Sequence, residues 1–194
     1  MSLLQKMFEQ LAPLYSTSNR AYHNFTHIQA CLTEFEAVKS LASDPIALQA
    51  AIWFHDVVYD PRAHDNEERS ADFAAEELRS LGLDEAQIER IKQLILATKH
   101  DRPVTGDAAL LVDIDLAILG QAAQEFDRYD TAIRQEYSWI AEDAYRVGRT
   151  QVLQKFLDRP SIYQTDTFRN RYEAQARINL QRAIEQLRKG DRIK

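Results

Sequence analysis

One cysteine, Cys31, in 194 residues excludes an internal disulfide framework and any zinc site built from several cysteines. Five glycines and five prolines leave few turn signals, and those present punctuate long helical patterns. Basic residues are outnumbered, 24 Lys and Arg against 30 Asp and Glu, and the net charge of −6 disfavours broad electrostatic binding to nucleic acid or anionic lipid. No apolar stretch approaches the roughly 20 residues that a membrane span needs. The N-terminal MSLLQKMFEQ mixes acid and amide with its apolar residues, unlike a secretion signal. What is present is a hydrophobic fraction of 45%, near the globular norm, in a length suited to one domain with a buried core. A cytoplasmic protein with no membrane partner and no nucleic-acid polymer as ligand is the expectation.

Apolar spacing predicts helices along the whole chain. Residues 2–14 carry Leu4, Met7, Phe8, Leu11 and Leu14 at three- and four-residue steps. A helix from about Asn24 to Ala42 follows, with Ile28, Cys31, Leu32, Phe35 and Val38 as its stripe. Asp44-Pro45 starts a third, IALQAAIWFHDVVY, which is apolar nearly all round and is expected to be central and buried until Asp60-Pro61 stops it. Further helices are expected from about Glu67 to Leu81, with Asn66 as cap and Gly82 as terminator, and from Asp84 to about Lys99. ALLVDIDLAIL has β-branched content, but its length, alanines and neighbours favour another buried helix ending at Gly120. One long or two medium helices span Gln121 to Asp158, and a last one runs from about Phe168 to Leu187. The fold class expected is all-α, one domain over 1–194, with a core at about 22–120 and C-terminal helices over 121–189.

Polar residues interrupt the most apolar of these runs. His55 and Asp56 split AIWF from VVY, and Asp113 and Asp115 split ALLV from LAIL, with no Lys or Arg in either run. A carboxylate taken out of water costs several kcal/mol unless it is paired or bound to a cation. Such a His-Asp pair commonly serves as a structural hydrogen bond or cap, and a lone Asp can face solvent. The conjunction across separate helices, with His27 at the edge of the Ile28 stripe, points instead to a shared divalent metal. His and Asp form an N/O set suited to Mn, Fe, Co, Ni, Zn or Mg, for which sulfur is not needed.

The order H…HD…D in an all-helical chain resembles the HD-domain superfamily of metal-dependent phosphohydrolases. The resemblance is carried by YHNFTHI, AAIWFHDVVYD, the NEERSA helix start, LILATKH and LVDIDLAILG. It continues through IRQEY, GRTQVLQKFL and EAQARINL toward a subgroup described as predicted HD phosphohydrolases. It implies a single HD-type helical bundle with His27, His55, Asp56 and Asp115 as metal ligands. Asp115 is favoured over Asp113 because it opens DLAIL, and Asp113 becomes its partner.

The activity implied is hydrolysis of a phosphate ester or anhydride of a small molecule, a nucleotide among the candidates. Asp56 would also orient the attacking water. Asp60, at i+4 from Asp56, matches the second acid of the HDVVED-like segments in guanosine-tetraphosphate hydrolases, whereas Tyr59 replaces the first. Glu67 and Glu68 open a helix, where acids suit the positive end, and one of them is a candidate to reach the site. His23, Lys99 and His100 are expected to face substrate, and His64 is incidental. Arg134, Arg149 and Arg177 lie in subgroup-like segments, although most arginines on such helices make surface pairs. Two other classes compete: an HD-fold di-iron oxygenase, for which His23 and His100 are the credible extra ligands, and a non-catalytic helical binding protein stabilised by its metal.

Overall fold

The structure, a computed structural model of the chain, describes residues 11–17 and 19–190. It is all-α, with no strand among the described residues. The helix expected over 2–14 falls mostly outside them. Leu11 is buried and Leu14–Ser16 forms a 3-10 turn. The chain divides after Asp115 into two compact units.

The first unit holds α1 (Phe25–Val38), α2 (Pro45–Phe54), α3 (Asn66–Ser80), α4 (Glu85–Ala97) and α5 (Gly106–Asp115). Local chemistry sets most of their starts. Asn24 accepts a hydrogen bond from the Thr26 N–H ahead of α1, Asp44 one from the Ala47 N–H ahead of α2, and Asp84 with Gln87 forms a capping box on α4. Gly82, at φ 88°, closes α3 with the Leu83 N–H returning to the Leu78 carbonyl. As its all-round apolarity predicts, α2 is the hub, packing against α1, α3, α4 and α5.

The end of α2 differs from expectation. α2 stops at Phe54, so His55 is its C-cap, and Asp56 to Val58 lie in a turn. The backbone there bonds elsewhere: Arg20 donates to the carbonyls of Asp56 and Val57, at 2.6 and 2.8 Å. Ser70 of α3 accepts from the Val58 N–H and donates to the Val58 carbonyl. Asn66 is not a side-chain cap of α3, since its amide exchanges hydrogen bonds with the Asp60 backbone.

The second unit holds a 3-10 segment, Leu116–Gly120, then α6 (Ala123–Glu136), α7 (Glu142–Leu157) and α8 (Asp166–Lys189). The stretch 121–158 is thus two helices, and the last is longer than expected. Gly120 lies flush against α8, where an added Cβ would come within 2.5 Å of the Tyr172 Cβ and 2.7 Å of its carbonyl. Buried Asn179 donates to the carbonyls of Leu119 and Gln121 and so ties the 3-10 segment to α8.

Candidate metal centre

Four side chains of the first unit converge from three places. His27 comes from the first turn of α1, His55 and Asp56 from the end of α2, and Asp115 from the last residue of α5. His27 Nε2 lies 3.2 Å from His55 Nε2, 3.2 Å from Asp115 Oδ1 and 3.5 Å from Asp56 Oδ2. His55 Nε2 lies 3.1 Å from Asp56 Oδ2 and 3.6 Å from Asp115 Oδ1. Both imidazoles are buried, and the two carboxylates keep only a small exposed fraction.

The protonation of His55 gives this convergence its meaning. Its Nδ1–H donates to the Ile52 carbonyl at 2.9 Å, a group left over because α2 ends two residues later. In the neutral ring that leaves Nε2 as a lone pair, aimed at a second imidazole nitrogen and two carboxylate oxygens. A buried set of acceptors is stable only around positive charge. The electrostatics agree. Burial disfavours charged imidazoles, yet Cys31, Tyr22 and the two carboxylates hold His27 well above the usual histidine range. Asp56 and Asp115 do the same for His55 against the same burial. Burial likewise opposes charge on the acids, but the imidazoles hold Asp56, and His100 with the imidazoles holds Asp115, well below the carboxylate range.

A divalent ion fits this donor set. Two N or O donors about 2.0–2.1 Å from one tetrahedral ion lie roughly 3.3–3.4 Å apart. The five separations above, 3.1 to 3.6 Å, bracket that edge. Beyond the donors, His100 Nε2 lies 2.9 Å from the other Asp115 oxygen. Backbone geometry serves that contact, because His100 sits at φ 55°, the left-handed region that a residue with a Cβ enters at a cost of about 1–2 kcal/mol.

The remaining candidates are distributed around this point. His23 stacks on Tyr59 with ring centroids 4.1 Å apart, and its ring lies 6.0 Å from that of His27. Lys99 is ion-paired with Glu68. Glu67 sits in the first turn of α3. Asp60 accepts from the Arg62 N–H at 2.9 Å within the loop, and the helical i+4 relation to Asp56 does not exist, because α2 has already ended. Asp113 is fully buried and supplies no atom to the cluster of possible donors.

The subgroup-like arginines hold the second unit together. Arg134 donates to the carbonyls of Tyr137 and Ile140 and pairs with Glu142. Arg149 pairs with buried Asp130 at 2.8 Å. Arg177 pairs with Glu173 and bonds the carbonyls of Leu157, Arg159 and Pro160.

Two residues escaped the sequence reading. Arg20 bonds the backbone of the His55–Asp56 turn, and nothing local in STSNR marks it. Cys31 belongs to a group with His27, His55 and Asp115 whose donor atoms all lie within 4.8 Å of one another. Its i+4 spacing from His27 was the available signal. The centre is therefore a buried His/Cys/His/Asp group able to hold a metal, with the Asp56 carboxylate beside it. No protein-family model, curated protein or solved structure matches the chain, so the chemistry of the centre rests on its own donors.

Proposed function

We propose that the chain is a metal-dependent phosphohydrolase of the HD type, acting on a phosphate ester or anhydride of a small molecule. The observation that supports it most is the meeting of His27, His55, Asp56 and Asp115, in the chain order H…HD…D, with donor separations of 3.1 to 3.6 Å. A bound divalent ion acidifies water and withdraws charge from a phosphoryl oxygen.

The chain's own residues supply the rest. His27, His55 and Asp115 hold the site, and His100 fixes the Asp115 carboxylate. Asp56, partly open to solvent, orients the attacking water. Lys99 exchanges its Glu68 partner for a substrate phosphate, which offsets an acidic pocket that otherwise repels anions. His23, on its Tyr59 stack, faces the rest of the substrate. Glu67, in the first turn of α3, protonates the leaving group, whereas Asp60 serves the loop that precedes that helix.

The test is a phosphate-release screen over nucleotides and phosphosugars, with protein stripped and reloaded in turn with Mn, Fe, Co, Ni, Zn and Mg. At least one combination is expected to turn over, and His55→Ala to abolish that turnover. Loaded protein that cleaves nothing, or a His55→Ala variant that behaves as the parent, overturns the reading. Two irons per chain with oxygen uptake would replace it by the oxygenase.

A further inference from the structure

We propose that Cys31 is itself a donor of the metal centre, so that the ligand set contains one thiolate and the site favours zinc or cobalt over magnesium or manganese. The inference rests on the metal centre of the preceding reading and not on its hydrolytic activity. His27 and Cys31 are four residues apart on α1 and share a face. Cys31 is 3% exposed, and its Sγ lies 3.7 Å from His27 Nε2 and 3.8 Å from Nδ1. An N and an S donor on one tetrahedral zinc, at about 2.0–2.1 and 2.3 Å from it, lie roughly 3.5 Å apart. The separation from Nε2 is close to that edge, but the sulfur is nearly equidistant from both ring nitrogens and so lies over the ring face, and a rotation of the Cys31 side chain is what brings it onto the Nε2 side.

A buried cysteine often serves only as a small apolar filler. Here its surroundings are two imidazoles and a carboxylate, all within 4.8 Å of one another and of the sulfur. The thiol in that position is a fourth donor to His27, His55 and Asp115. Coordination releases the S–H proton to solvent, with no change of oxidation state. Thiolate and Asp115 together then balance a 2+ charge, with the Asp56 carboxylate beside the ligand set. Soft sulfur with two imidazoles selects zinc and cobalt, whereas magnesium and manganese gain nothing from it.

Because Cys31 is the chain's only cysteine, any thiolate signal has one source. The full-length protein is stripped, loaded with Co(II), and its near-ultraviolet absorption compared with that of Cys31→Ser and Cys31→Ala. A thiolate-to-cobalt charge-transfer band is expected in the parent and absent from both variants. Zinc-loaded parent should show one sulfur at about 2.3 Å by X-ray absorption. Zinc affinity is expected to fall by roughly tenfold or more in Cys31→Ser, since even outer-shell losses cost that much, while manganese affinity holds. Zinc or cobalt bound with no charge-transfer band and no sulfur neighbour overturns this proposal and leaves the metal centre standing. Failure of any divalent ion to bind, in the parent as in His27→Ala, overturns both.

Discussion

Asp115 shows how much one residue decides. One of its oxygens faces both imidazoles and the other faces His100 Nε2, so its orientation is fixed before an ion arrives. His100 makes that contact from a left-handed backbone, and the two consequences separate by substitution. His100→Ala and His100→Gly both lose the contact, and both are expected to bind metal about 10–100-fold more weakly. The glycine variant should nevertheless be the more stable of the two by about 1 kcal/mol, since only alanine carries the left-handed cost. Chelator competition and chemical denaturation measure the two effects. Equal stability of the variants would mean that the backbone is not strained, and parental affinity would mean that His100 orients nothing.

The same cluster sets a pH dependence of known sign. His27 and His55 are held above the usual histidine value in the metal-free protein. Their contribution is therefore complete below the unfolded value of about 6.5 and is lost as pH rises through the folded values. Asp56 and Asp115 are held low, so theirs is present above the ordinary carboxylate value and lost only in strong acid. An ion must displace the imidazole protons. The rise in melting temperature caused by added zinc is thus expected to be small below the histidine value and to grow steadily above it. A rise that is constant across that range would show that the imidazoles are not the donors.

At the scale of elements, the important event is the end of α2. The apolar run through VVY reads as one helix to Asp60, yet the helix stops at Phe54. The cause lies in Arg20 and Ser70, which take the Asp56, Val57 and Val58 backbone groups from 36, 37 and 12 positions away. No local window contains that information, and propensity yields to tertiary bonds. The early stop is also what turns His55 Nδ1 onto a free carbonyl and moves Asp60 off the face of Asp56. That His55, Asp56 and Asp115 would need a partner was legible because polar residues in apolar runs demand one. Cys31 was not, because counting cysteines excludes a multi-cysteine site but says nothing of a mixed one. Arg20 is buried, with its guanidinium over the Tyr15 ring at 5.1 Å. Arg20→Met keeps much of the bulk and removes the donors, leaving the carbonyls of His23, Asp56 and Val57 without their guanidinium. A loss of about 2–4 kcal/mol is expected, accompanied by weaker metal binding as the turn loosens. Full stability in denaturant would show that water replaces the guanidinium without cost.

At the scale of the whole molecule, every donor of the centre lies in the first unit, while the segments IRQEY and GRTQVLQKFL lie in the second. Arg134 bonds two carbonyls and Arg149 a buried acid there, so the arginines of these segments have a folding role. Arg149 and Asp130 give the clearest case, with both side chains nearly excluded from solvent and Arg149 Nε 2.9 Å from Asp130 Oδ1. Removing only the guanidinium strands a buried carboxylate, and Arg149→Met is expected to destabilise by about 3–5 kcal/mol. Replacing both partners, Arg149→Met with Asp130→Leu, removes the stranded charge and should restore most of that loss. If the pair serves folding alone, the folded double variant binds zinc as tightly as the parent, because none of its altered atoms belongs to the donor group. Denaturant titration and chelator competition on the same preparations decide the matter. A double variant that regains stability but loses metal affinity or turnover would show that the Arg149–Asp130 pair does more than fold the second unit.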